Sequence, residues 1–196
     1  MSLQGEGYFT GTPAFFLRLS GCNLKCPFCD TQHQFFTKMT EEEIVQEASL
    51  HEPRHIVITG GEPALQLTKS LVDKLHEAGF FIQVETNGTL PLPEGIDWVT
   101  CSPKGLTPTL AKREGVTTIN ELKVLYMGDG TDPDDILKSL SPLGGDGGEV
   151  VRLYLQPLDT GDETRNRIIL RDTIAYIIQH PKWSLSLQTH KLLGIK

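Results

Sequence analysis

At 196 residues the chain has room for one domain and a sizeable core without disulfide staples. Its net charge of −7 offers no basic surface for nucleic acid or acidic lipid, and no apolar run reaches membrane-spanning length. The N-terminus lacks a basic-then-apolar signal pattern, so the expected compartment is the cytoplasm, where clustered cysteines read as metal ligands rather than disulfides.

Residues 1–7 read as a loop in which Gly5 and Gly7 bracket Glu6 and let the backbone approach a neighbour closely. Residues 13–19 form a largely buried strand interrupted by Arg18, whose charge needs a partner. The plain partner is a neighbouring acid. Directly after this strand comes Cys22-Asn23-Leu24-Lys25-Cys26-Pro27-Phe28-Cys29, with three of the chain's four cysteines inside eight residues. A loop that tight can aim three thiolates at one point. These soft donors suit zinc, copper(I) or an iron–sulfur cluster. A structural zinc wants four protein ligands, so three without a local fourth suggest a metal with one position left open. Cys101, inside a strand, reads as a small buried hydrophobe.

Thr40 and Glu43 form a capping box at the start of a helix whose apolar face is Ile44, Val45 and Ala48. Residues 55–58 are a second strand, running into Thr59-Gly60-Gly61-Glu62-Pro63. A helix over 66–78 stops at Gly79. Strands follow at 80–84, 97–101, 121–126 and 150–155, helices at 131–140 and about 162–179, and a last short strand at 183–187. Strands alternating with helices or long connections predict a single domain over 1–196 of α/β class. The expected architecture is a partial (β/α) barrel of about six parallel strands, with right-handed crossovers and few helices.

The unusual polar residues all follow strands: 22–30, 59–62, 85–87, 102–104 and 156–159. A parallel sheet brings them to one rim, the expected anatomy of a cofactor pocket. Glu85 is grouped with the cofactor-binding residues on this ground, although a plain strand-end charge would look the same.

The Cys-x3-Cys-x2-Cys spacing resembles the cluster loop of the radical S-adenosylmethionine (SAM) superfamily. Together with Leu-Gln-Gly-Glu-Gly at 3–7, Cys-Asp-Thr at 29–31 and Leu-Gln-Thr-His-Lys at 187–191, nearly the whole chain resembles the 7-carboxy-7-deazaguanine synthase family of deazapurine (queuosine) biosynthesis. The resemblance implies that Cys22, Cys26 and Cys29 hold a 4Fe–4S cluster and that Thr31 ligates Mg2+. Phe28, Cys29, Asp30, Gly61, Ser102, Pro103, Lys104, Gln156, Pro157, Leu158 and Asp159 would form the SAM pocket. Leu3, Gln4, Gly5, Arg18, Thr59 and the terminal Lys196 would meet the substrate, 6-carboxy-5,6,7,8-tetrahydropterin. In the implied reaction an electron from the cluster splits SAM, the resulting 5′-deoxyadenosyl radical takes hydrogen from C6, the pterin ring contracts, and ammonia leaves. SAM would be regenerated, and the cluster would be fed by a flavodoxin- or ferredoxin-type reductant. A homodimer is also implied. No acid–base residue stands out, and His190 is given no chemistry.

Two features depart from the family pattern. Members usually carry a strand before Leu-Gln-Gly-Glu-Gly, whereas only Met1 and Ser2 precede Leu3, and members often end in proline where Lys196 stands. The competing functions are a radical SAM activase acting on a partner protein and a non-enzymatic iron–sulfur module. SAM binding separates the second from the enzymes, and turnover of the pterin separates the first.

Overall fold

Eight strands form one sheet whose spatial order is their order along the chain. The computed structural model describes residues 1–29, 31, 35–104, 119–139 and 152–195. The strands are β1 (Ser2–Leu3), β2 (Pro13–Leu19), β3 (His55–Gly60), β4 (Phe81–Thr86), β5 (Trp98–Cys101), β6 (Glu121–Tyr126), β7 (Arg152–Pro157) and β8 (Ser184–Leu185). β1 is antiparallel to β2, and every later pair is parallel. The helices are α1 (Glu41–Ser49), α2 (Lys69–Glu77), α3 (Pro133–Ser139), α4 (Glu163–Gln179) and α5 (Thr189–Leu193). No ladder joins β1 to β8 among the described residues, so the sheet is the open, partial barrel expected from the sequence.

Period-two alternation gives the sheet two different faces. Ile56, Ile58, Ile82 and Val84 turn outward and pack with Ala48, Leu71, Val72 and Leu75 of α1 and α2. Leu122, Val124 and Leu155 pack with Ile136 and Trp183 in a second cluster. Each fully buried aliphatic side chain contributes roughly 1.5–3 kcal/mol. Cys101 is buried beside Val99 and Ile119, as a small hydrophobe would be. The inward face carries polar residues that the outward face lacks: Arg18 pairs in register with Thr59, Glu85 with Thr100, and Gln156 sits beside Leu125.

The open side is spanned by the chain's own N-terminal loop, a strap at residues 4–12. Gly7 N donates to Ser186 Oγ at 3.0 Å, and Gly5 O accepts from Thr189 N at 2.9 Å. Tyr8 stacks on Trp98 and Phe9 meets His55, Phe81 and Trp98 edge-on, all at strand starts, so the strap plugs the lower end of the barrel.

The capping box forms as read, with Glu43 N donating to Thr40 Oγ1 and Thr40 N to Glu43 Oε2. Beyond shifts of one or two residues at other ends, four differences from the sequence expectation stand out. Ser2–Leu3 is a strand rather than loop, because its backbone pairs with Ala14 and Pro13. α2 begins at Lys69, capped by Thr68, and a 3-10 turn at Pro63–Leu65 precedes it. The last strand shrinks to Ser184–Leu185, and α5 occupies a tail in which no helix was expected. Among the described residues the parallel strands number seven, one more than the six, because the last short strand joins them. The turn expected at 144–148 lies outside the described residues. Among the described residues no helix is long and apolar enough to cross a membrane.

Candidate active site

A cavity of about 660 Å³ occupies the upper half of the barrel. Its wall includes Leu3, Gln4, Gly5, Arg18, Cys22, Cys26, Phe28, Cys29, Thr31, Thr59, Gly61, Glu85, Ser102, Lys104, Gln156, Leu158 and Asp159. Strand-end residues from separate parts of the sequence therefore do converge. Pro103 and Pro157 do not reach the wall, and Asp30 and Lys196 lie outside the described residues.

The glycine pair after β3 is forced by crowding. Gly61 N donates to Leu19 O at 3.2 Å and Glu62 N to Gly21 O at 2.9 Å. A Cβ on Gly60 would sit 1.9 Å from Leu19 O, and one on Gly61 would sit 2.1 Å from Gly21 O and 2.7 Å from Cys22 Cβ. Only glycine lets this backbone press against the cysteine loop. Glu62 is fully buried and serves as a joint, not as part of the wall. It accepts from Thr86 Oγ1 at 2.7 Å, Asn87 N at 2.8 Å and Ala64 N at 3.0 Å. Asn87 in turn donates to Asn23 Oδ1 at 3.1 Å, tying the cysteine loop to the end of β4.

The donor set fits an iron–sulfur cluster in kind. Three free thiols from one short loop face the cavity, with no disulfide among them. Burial pushes the Cys26 thiol up, and its neighbours Cys29 and Cys22 push the same way while Lys104 opposes them. Among the described residues, however, no three His, Cys, Asp or Glu side chains are gathered tightly enough to hold an ion as they stand. The loop brings the three sulfurs to one cavity, and a four-iron cluster, which takes each cysteine on a separate iron, does not require them to meet at one ion.

Below the cysteines lies a charged well that the sequence did not single out. Lys123 is buried, and its ammonium lies 2.6 Å from Glu6 and 2.9 Å from Glu85. Gln188 Nε2 donates to the other Glu6 oxygen at 3.0 Å, and Gln4 Nε2 donates to Glu85 at 3.3 Å. Burial alone would raise the Glu6 carboxyl, but the Lys123 charge and hydrogen bonds bring it down to about 2. Burial works against the Lys123 ammonium too, yet Glu6, Glu85 and Glu121 hold its proton more firmly than usual. Lys104, buried and near Lys123, is pushed down. Arg18 is exposed at the cavity wall, and among the described residues no carboxylate lies within ion-pair distance of it. The structural ion pair weighed for Arg18 does not form there. His190, given no chemistry from its position near the C-terminus, also lines the cavity, packed so closely on Gly5 that a Cβ there would strike its ring.

The Radical SAM superfamily model matches residues 17–123 of the chain. The chain is 46% identical over 195 residues to a 7-carboxy-7-deazaguanine synthase of Bacteroides thetaiotaomicron, covering all of this chain and 94% of that one. It is 35% identical to the Bradyrhizobium diazoefficiens protein of the same name, covering all of this chain and 96% of that one. The crystal structure of QueE from Escherichia coli superposes with a TM-score of 0.73 at 30% identity, over 95% of this chain and 90% of that one. Parallel barrel, cysteine loop and near-complete overlap all lead to one assignment: the chain belongs to the 7-carboxy-7-deazaguanine synthase family of the radical SAM superfamily.

Proposed function

We propose that the chain converts 6-carboxy-5,6,7,8-tetrahydropterin to 7-carboxy-7-deazaguanine with loss of ammonia. One observation carries this reading beyond the family name. One cavity holds three thiols at its mouth and, beneath them, a guanidinium with no ion-pair partner among the described residues, beside a hydrogen-bonding well. When bound, the 4Fe–4S cluster and SAM would supply one-electron cleavage and hydrogen-atom abstraction at C6.

Everything else falls to this chain's own residues. Cys22, Cys26 and Cys29 would hold the cluster, and Gly61, on the cavity wall, would meet the methionine end of SAM. Phe28, Cys29 and Asp30, with Glu85, Ser102 to Lys104 and Gln156 to Asp159, would enclose the remainder. Arg18 has the planar fork that recognises a carboxylate with two hydrogen bonds, and no carboxylate among the described residues takes it up. Leu3, Gln4, Gly5 and Thr59 would line the pterin ring, with Lys196 closing over it. Thr31 offers a hydroxyl on the wall, the hard oxygen donor that Mg2+ prefers. The Glu6–Lys123–Glu85 group keeps the floor rigid and near charge balance, so a bound ring meets fixed dipoles rather than water. A flavodoxin- or ferredoxin-type protein would deliver the electron, to a homodimer in the cytoplasm.

Calorimetric titration of the anaerobically reconstituted protein tests the site. Wild type is expected to bind both SAM and the pterin, and Arg18→Ala to lose about tenfold or more in pterin affinity, at 1.4 kcal/mol per tenfold, with SAM affinity kept. Equal loss of both ligands would make Arg18 structural. Absence of pterin binding in wild type would remove the substrate assignment.

A further inference from the structure

Glu121 does not line the cavity, yet the strap that does is built on it. It opens β6, is 1% exposed, and accepts the Tyr8 amide on Oε2 at 3.1 Å. Its other oxygen presses on Gly7, where φ is 65° and an added Cβ would lie 1.9 Å from Glu121 Oε1. The three nearest atoms to that hypothetical Cβ all belong to Glu121, so the turn at Gly7 is shaped against this one side chain. Beyond it the Tyr8 ring is fixed between Trp98, 5.0 Å away and stacked, and the Arg152 guanidinium at 4.3 Å. Trp98 Nε1 bears on the same carboxyl, but among the described residues neither it nor Glu121 Oε1 makes a hydrogen bond of good geometry. A buried carboxyl so incompletely matched is costly where an apolar strand-start residue would pack without that penalty. What the carboxyl does provide is a directional acceptor for one backbone amide. Immediately before that amide the chain carries Gln4, Gly5 and Glu6 into the cavity wall.

We propose that Glu121 is a positioning residue of the substrate site: its carboxylate fixes the Gly7–Tyr8 turn and thereby sets how Gln4 and Glu6 face the cavity. The substrate half of this inference rests on the pterin assignment above, whereas the strap half does not. Glu121→Ala removes the acceptor. Glu121→Gln keeps one of the same length and shape.

Hydrogen exchange on the reconstituted protein without substrate reads the strap, and calorimetry reads SAM and 6-carboxytetrahydropterin separately. Glu121→Ala is expected to speed exchange at residues 7–9 by about tenfold and to weaken pterin binding by a similar factor, the scale of one lost hydrogen bond to a charged group, with SAM affinity unchanged. Glu121→Gln restores both. Gly7→Ala weakens pterin binding in wild type and costs less in the Glu121→Ala background, because the colliding atom is gone. Should Glu121→Ala not fold, Gly7→Ala alone must still separate pterin from SAM affinity. Unchanged exchange at residues 7–9 in Glu121→Ala, or parallel loss of both ligands in either variant, overturns the proposal. If wild type binds no pterin, the substrate assignment falls and the exchange data still decide the role of Glu121 in the strap.

Discussion

The carboxylate of Glu62, fully buried, accepts the backbone amide of Asn87 at 2.8 Å. That bond joins the end of β3 to the end of β4, and the Asn87 side chain passes the restraint on to Asn23 in the cysteine loop. Glu62→Ala strips an acceptor from Thr86, Asn87 and Ala64 at once. The expected loss is about 3–5 kcal/mol, the range for breaking a buried charged network. Glu62→Gln should lose less, since it keeps one acceptor oxygen. Urea unfolding checks both, and a Glu62→Ala midpoint equal to wild type would show that the joint carries no load.

Lys123 faces Glu6 and Glu85 with its side chain only 5% exposed. Lys123→Met leaves two carboxylates buried without a counter-charge, at a cost of about 3–5 kcal/mol at neutral pH. The pH dependence should also reverse. In wild type the Glu6 carboxyl is depressed to about 2, so its stabilisation is present above the ordinary 4.5 and is lost as pH falls toward 2. Without Lys123, burial dominates and raises Glu6, so the variant should be more stable at pH 5 than at pH 8. A variant that loses stability on acidification as wild type does would contradict this.

Glu121 titrates in the opposite sense. Burial raises its carboxyl from 4.5 to about 7, and Glu85 adds to the rise while Lys123 and the Tyr8 amide oppose it. Tyr154 of β7 and, across the Tyr8 ring, Arg152 complete the titratable and charged groups facing it. A group raised in the folded state contributes stability below its unfolded value, and that contribution disappears as pH rises through the folded value. The window is therefore pH 4.5 to 7, and the full effect is about 3 kcal/mol at ~1.4 kcal/mol per pKa unit. Denaturation at pH 5 and pH 8 should show this decline in wild type and a flatter profile in Glu121→Gln. Equal slopes would mean that Glu121 does not titrate there.

Thr31 supplies the only expected side-chain contact to Mg2+. Added Mg2+ should raise turnover in wild type, and Thr31→Ala should blunt that response while leaving SAM affinity intact. A metal response identical in the two proteins would take Thr31 out of the site.

The sheet was legible in the sequence because each parallel strand carries its own apolar pattern and ends in its own polar run. The cavity wall was legible for the same reason: parallel strands bring their ends together. Local signals fail where pairing is distant. β1 is held by two ladder partners and not by propensity, and α5 starts at Thr189 after Gln188, which makes no side-chain cap. The Glu6–Lys123 contact spans 117 positions and leaves no local trace. The available hint was the alternation of Glu121 and Lys123 with leucine and valine in the strand at 121–126. Glu62, grouped from the sequence with the polar residues of the pocket rim, is instead a buried joint, because its partners Thr86 and Asn87 lie beyond a helix.

Anaerobic incubation of the reconstituted protein with 6-carboxytetrahydropterin, SAM, dithionite and Mg2+, followed by mass analysis, tests the substrate assignment most directly. Formation of 7-carboxy-7-deazaguanine with release of ammonia is expected, with activity abolished in Cys26→Ala. SAM cleavage with the pterin left intact would contradict the assignment.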